Sequence, residues 1–129
     1  MSPVHEILDS ARWAPSADNT QPWRFEILSN TEFVVHGRDT RESCVYDLDG
    51  RISCLALGAL LETIEIAATT KGLDCVVTPS ELHDLRFHER LLADQSVRPS
   101  RLAPFIKSRS VQRRMLNTRQ LPPDRQEGP

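Results

Sequence analysis

The chain has 129 residues, 39% hydrophobic and 26% charged, which suits one domain with its own core and excludes disorder as the default reading. A net charge of -2 gives no general argument for a nucleic-acid or membrane partner. Charge is nevertheless uneven, because five basic residues and no acidic one lie between Lys107 and Arg119.

Val4, Ile7, Leu8 and Ala11 recur at helical spacing up to Arg12-Trp13, with Ser2 and Pro3 as cap and first turn. Pro15 halts that pattern, and a polar run reaches Pro22. Trp23, Phe25 and Ile27 then alternate as a strand. Ser29-Asn30-Thr31 reads as a turn and Glu32 to His36 as a second strand, the two forming a hairpin. Gly37 to Tyr46 is a polar loop, and Asp47 and Asp49 flank a turn and read as caps of the strongest helix, residues 51–71, with Ser53 as a further candidate. Ile52, Leu55, Ala56, Ala59, Leu60, Thr63 and Ala67 line one face, and Leu57, Leu61, Ile64 and Ala68 cover much of the rest, so burial on most sides is expected. Gly72 stops this helix, Cys75 to Thr78 reads as a strand, and residues 82–93 fit a strand better than a helix. Ser96 to Ser100 is a linker, Leu102 to Arg109 a short helix, and residues 121–129, with three prolines, a flexible tail.

The fold class expected is α+β: a central buried helix with a small, mostly antiparallel sheet, residues 1–120 forming an incomplete or half domain. So few elements leave too little surface to cover the central helix, which calls for a second chain or a second lobe. Glu62 and Glu65 interrupt the apolar run from Ile52 to Ala68, so it reads as a core helix and not a membrane span. Cys44, Cys54 and Cys75, an odd number without a C-x-x-C pair, read as small core residues in a reducing compartment. No secretory signal pattern is visible, and a cytoplasmic location follows.

The chemistry concentrates in residues 12–25. Two prolines fix a loop carrying Ser16, Asp18, Asn19 and Gln21 between Trp13 and Trp23, a rigid polar frame suited to a planar polar ligand. Ala14-Pro15-Ser16-Ala17-Asp18-Asn19-Thr20-Gln21-Pro22-Trp23 resembles the A-P-S-x-x-N-x-Q-P-W signature of the nitroreductase family of flavoproteins, filling every specified position. The helix ending Ala67-Ala68-Thr69-Thr70-Lys71-Gly72-Leu73 is similar to that family's central helix. Arg109-Ser110-Val111-Gln112-Arg113-Arg114 resembles its R-R-S-x-R element with one extra residue. In ordinary members that element precedes the proline loop. Its position here, after the loop, resembles the first lobe of longer two-lobed relatives.

The resemblance implies an intertwined homodimer holding FMN at its interface, passing hydride from NAD(P)H through FMN to a nitroaromatic, quinone or similar acceptor. Asn19 and Ser16 then approach the flavin ring, with Gln21 beside them, since an amide both donates and accepts. Arg12 stabilises the reduced ring, and Arg109, Ser110 and Arg113, with Arg114 as a substitute for Arg113, hold the phosphate. Plainer readings stand beside these: Asx or Ser turns for the loop residues, a helix-end arginine for Arg12, and a solvated basic face for 109–114. Trp23 reads as a core anchor, and Glu62 with Glu65 as a partly wet helix face. The four histidines have no ligand spacing for a metal, and no Ser-His-Asp set, G-x-G-x-x-G or Walker loop occurs. No catalytic residue is assigned. Two other functions compete: a non-catalytic flavin-binding or interaction lobe of a larger protein, and a polyanion-binding module using Lys107, Arg109, Arg113, Arg114 and Arg119.

Overall fold

The computed structural model describes residues 2–41, 45, 47, 49–82, 84–116 and 118–125. The readings that involve Cys44, Tyr46, His83 and residues 126–129 lie outside the described residues.

Helix α1 spans Pro3–Ala11 and buries Val4, Ile7, Leu8 and Ala11, the stripe its periodicity predicts. Pro3 occupies the first turn, where its missing N–H costs no hydrogen bond. Ser2 is the N-cap residue, but its hydroxyl contacts His5 Nδ1 at 2.6 Å and caps nothing. Strands β1 (Trp23–Ile27) and β2 (Glu32–Gly37) form the expected antiparallel hairpin, with Phe25 opposite Val35. After helix α2 (Arg51–Thr69) come β3 (Leu73–Pro79) and β4 (Arg86–Ala93). Residues 82–93 are thus largely strand, as their alternation indicated. The four strands form one antiparallel sheet in the order β1-β2-β4-β3. The fold is α+β, two helices on one face of this sheet.

The core joins α1 and α2 to the inner sheet face: Phe33, Val35 and Leu91 from the strands, with Ile7, Leu57, Leu60 and Ile64 from the helices. Trp23 packs at its edge, which supports the anchoring role.

Helix α2 is less enclosed than its composition suggested. Only Ser53, Ala56, Leu57, Leu60, Ile64, Ala67 and Ala68 of its 19 residues are buried. Leu55 is 68% exposed, and Ala59 and Thr63 are only partly covered, so of the expected apolar face Ala56, Leu60 and Ala67 are buried, and Leu57, Ile64 and Ala68 from its flank complete the buried side. By length and composition α2 could cross a membrane, with a mean hydropathy of 1.6. Here it packs on α1 and β3. Cys54 lies on its exposed side, so the core reading fails for that cysteine and holds for Cys75.

At the start of α2 one of the two expected aspartate caps is borne out. Its N-cap is Gly50, in the left-handed region at φ 79°, and the capping oxygens come from Asp47. The buried Asp47 carboxylate accepts from Ile52 N (3.1 Å), Ser53 N (3.2 Å) and Ser53 Oγ (2.8 Å), and from Thr40 Oγ1 at 2.5 Å. These donors, Thr40 foremost, hold its pKa below the usual carboxylate range. Asp49 instead accepts from Arg51 N and pairs with its guanidinium.

The expected helix from Leu102 to Arg109 is only a 3-10 turn at Ala103–Phe105. This exposed segment has too few residues to offset the cost of nucleating an α-helix. It is nonetheless tied down: Ser100 N donates to Thr69 Oγ1 at 2.9 Å, and Ile106 packs on the core. Beyond it, Pro123–Arg125 makes one more 3-10 turn.

Candidate functional site

The loop after α1 is held from within. Ala14 and Pro22 are buried, so the core clamps both ends of the polar run. Between them Ala17–Asn19 makes a 3-10 turn, with Asn19 N donating to Ser16 O at 3.0 Å. Asp18, Asn19 and Gln21 all take positive φ, at 50°, 54° and 47°. For side-chain-bearing residues this conformation costs roughly 1 kcal/mol each, least for Asp and Asn. Strain concentrated in so short a segment is common at ligand sites.

Local hydrogen bonds support that backbone. Ser16 Oγ accepts from Gln21 N at 3.0 Å, and Gln21 Nε2 donates to Asn19 Oδ1 at 3.1 Å. The turn-forming role anticipated for Ser16 is therefore real. The Asn19 amide nitrogen and the Gln21 amide oxygen have no hydrogen-bond partner among the described residues, so this pair offers one donor and one acceptor outward. Pro22 O accepts from Arg38 N at 2.8 Å, tying the loop's exit to the end of β2.

The chain's last segment returns to this loop. Lys107 Nζ approaches Asp9 Oδ2 at 3.3 Å, and Arg109 Nη2 donates to Trp13 O at 2.6 Å. Between the loop and this segment lies a cleft of about 370 Å³, whose lining includes Arg12, Ser16, Asn19, Gln21, Arg109 and Arg113. Six of the seven cofactor-binding candidates thus meet around one space. Ser110 does not: it lines a separate surface depression with Arg113 and Arg114. Ser110 therefore keeps Arg113 as a neighbour but lies outside the cleft that Arg109 and Arg113 share.

Arg12 bonds Asp9 at 2.9 Å through Nε, and its guanidinium lies 5.6 Å from the Trp13 ring centroid. The helix-end reading of Arg12 therefore holds alongside its place on the cleft wall. Arg12, and secondarily Lys107, hold the Asp9 carboxyl below its usual pKa. The cleft lining contains three guanidiniums and no carboxylate, a setting that favours an anion. Trp13, one of the two tryptophans that flank the loop, also lines the cleft, with Ala14, Pro15 and Val111. An apolar cavity of about 380 Å³ adjoins it between Trp13, Ile66, Leu102 and Phe105.

Among the described residues, no group of His, Cys, Asp and Glu could hold a metal ion. His88 pairs with Glu32 at 3.3 Å on the outer sheet face, whereas its neighbour Glu89 is fully buried. Glu62 and Glu65 are exposed on α2, consistent with a wet helix face.

Residues 2–48 match the model of the nitroreductase family. The match is partial, covering α1, the strained loop and the first hairpin. It agrees with a partial nitroreductase-like domain and supports a flavin-dependent oxidoreductase as the general kind of protein. No curated protein sequence matches the chain.

Proposed function

We propose that this chain is an FMN-binding oxidoreductase lobe that takes hydride from NAD(P)H and delivers it to a nitroaromatic, quinone or similar acceptor. The observation that carries this reading is the convergence of Arg12, Ser16, Asn19, Gln21, Arg109 and Arg113 on one cleft, from segments nearly a hundred residues apart.

The residues present fit the group. A flavin ring edge needs both donors and acceptors, and the Asn19–Gln21 pair leaves one of each available. A phosphate needs fixed cations, and Arg109 and Arg113 supply guanidiniums with no carboxylate in the lining to compete. FMN, when bound, supplies the hydride chemistry. The chain's own part is to bind and orient: the loop's internal bonds keep the two amides in place, and Arg12 beside the cleft favours negative charge there.

Two further features belong to this reading. The uncovered side of α2, with Leu55 exposed and open space around Gly58, is covered by a second copy or a second lobe that completes the pocket. The chain works in the cytoplasm. A second reading, a flavin-binding lobe without turnover, is favoured by one observation: Ser110 stands outside the cleft, so the phosphate grip lacks its hydroxyl.

Titration with FMN, followed by quenching of flavin fluorescence, tests the first claim. Saturable binding is expected, weakened about tenfold or more by Arg113→Ala, as for loss of a charge-assisted hydrogen bond. Absence of saturable binding overturns both readings. Oxidation of NADH or NADPH by the FMN-loaded protein, with a nitroaromatic or quinone present, then separates the enzyme from the non-catalytic lobe.

A further inference from the structure

A cavity of about 530 Å³ lies beyond the other side of the loop, and Gln21 lines both spaces. Its wall includes Trp23, Arg24, His36, Arg38, Asp84 and Arg86. Sheet register explains how these residues meet. Arg24 of β1 faces His36 of β2, and His36 faces Arg86 of β4, so the three form one row across the outer sheet face. Gly37 brings the fourth residue in. A Cβ there would meet Leu57 Cδ1 at 2.5 Å and Leu85 Cβ at 2.8 Å, so only glycine lets the turn before β4 close on the end of β2. Gly37 N donates to Leu85 O across that contact, and Arg38 emerges beside Asp84 and Arg86.

The charges in this space do not cancel. Arg86 pairs with Asp84 at 2.6 Å, and His36 with Glu26 at 2.6 Å. The guanidiniums of Arg24 and Arg38 have no partner among the described residues. Three guanidiniums therefore line this space with one carboxylate, Asp84, while Glu26 beside it bonds His36 and acts on Arg86, and Trp23 and Leu85 form an apolar wall. A single carboxylate ligand would satisfy one arginine, whereas a phosphate monoester, with two negative charges and three free oxygens, can engage several. The volume exceeds what the phosphate alone needs and leaves room for an organic body against Trp23.

We propose that this cavity is a second binding site, distinct from the flavin cleft, for a phosphorylated small molecule whose phosphate is held by Arg24, Arg38 and Arg86. The proposal does not depend on FMN binding.

Calorimetric titration with inorganic phosphate, adenosine 5′-monophosphate and adenosine, at constant ionic strength, tests it. The monophosphate is expected to bind saturably and adenosine at least tenfold more weakly. Arg24→Gln with Arg38→Gln is expected to reduce monophosphate affinity at least tenfold, and Arg113→Gln to leave it unchanged. Both substituted arginines are exposed and have no side-chain partner among the described residues, so the double variant is expected to melt with the wild type. Amide shift mapping of the unmodified protein reads the same site without a substitution, through Gly37, Arg38 and Arg86. No saturable binding of either phosphate probe, adenosine binding as well as the monophosphate, or loss of binding in Arg113→Gln alone would each overturn the proposal.

Discussion

At the scale of single residues, the proline loop separates backbone cost from ligand role. Asn19 at φ 54° sits where glycine is favoured, so Asn19→Gly relieves strain while removing an amide aimed at the cleft. Its melting temperature is expected to hold or rise, while FMN affinity falls at least fivefold. An unchanged affinity would leave Asn19 a turn residue only. Glu89 is a second conflicted residue. It is fully buried on the inner sheet face, with Oε1 lacking a partner among the described residues and Oε2 accepting from Cys75 Sγ at 2.9 Å. Burial pushes its pKa up, with Glu65 adding to the rise, and burial followed by the Glu89 contact raises that of Cys75. A carboxyl whose folded pKa is raised contributes most below its unfolded pKa, about 4.3, and that contribution is lost as pH rises through the folded value. Asp47 has the opposite sign: its depressed pKa adds stability above about pH 4 that is lost as pH falls through the folded value. Glu89→Gln is therefore expected to raise unfolding free energy near pH 8 by about 1 kcal/mol, the scale of an unsatisfied buried group, with a smaller effect near pH 4. Urea unfolding at both pH values measures this, and equal effects at the two would refute the assignment.

At the scale of elements, periodicity told more than boundaries did. The apolar stripe of Val4, Ile7, Leu8 and Ala11 was legible because α1 buries one face only. Strand β4 was legible from Leu85, Phe87 and Leu91, despite a competing helical pattern, because all three pack on the core, whereas the buried Glu89 between them reads in sequence as a surface residue. For α2 the sequence showed a helix but not its orientation, since apolar residues surround it and Leu55 is as hydrophobic as Leu57. Nor did it single out Asp47 over Asp49 as the capping group, because only the backbone turn at Gly50 decides which carboxylate reaches Ile52 and Ser53. Gly58 puts the uncovered side to a test. It lies inside α2 with nothing within 4 Å of an added Cβ, so Gly58→Ala is expected to stabilise the isolated chain by about 0.5–1 kcal/mol. If a second copy packs closely there, the same methyl group weakens association. Melting temperature at low concentration and dimer dissociation measured by sedimentation are then expected to move in opposite directions, and a gain in both would show that no close contact forms at Gly58.

At the scale of the whole molecule, the candidate site was half legible. Its loop is a compact motif whose prolines and amides are visible in ten consecutive residues. Its far wall depends on the chain returning across 96 positions to Trp13, and the Arg24–His36–Arg86 row depends on strand register, neither of which spacing along the chain encodes. What the molecule leaves open is its apolar exterior. Leu55, Phe105, Val111, Met115 and Leu116 are all more than 60% exposed, and an apolar cavity lies between α2 and the C-terminal segment. Each large side chain left in water forgoes about 1.5–3 kcal/mol, so covering several together is a strong drive to associate. Leu55 sits on α2 beside Pro15 and Ser16, where it lines a shallow pocket with the loop itself. A partner seated there would therefore press on the residues proposed to hold flavin. Leu55→Glu places a charge in that contact without disturbing the core, since Leu55 is 68% exposed. The variant is expected to keep its far-ultraviolet circular dichroism, to sediment as a monomer where a dimer is expected of the wild type, and to bind FMN at least tenfold more weakly. Tight FMN binding by a monomeric variant would show that one copy of the cleft suffices, and that the exposed face of α2 serves some other contact.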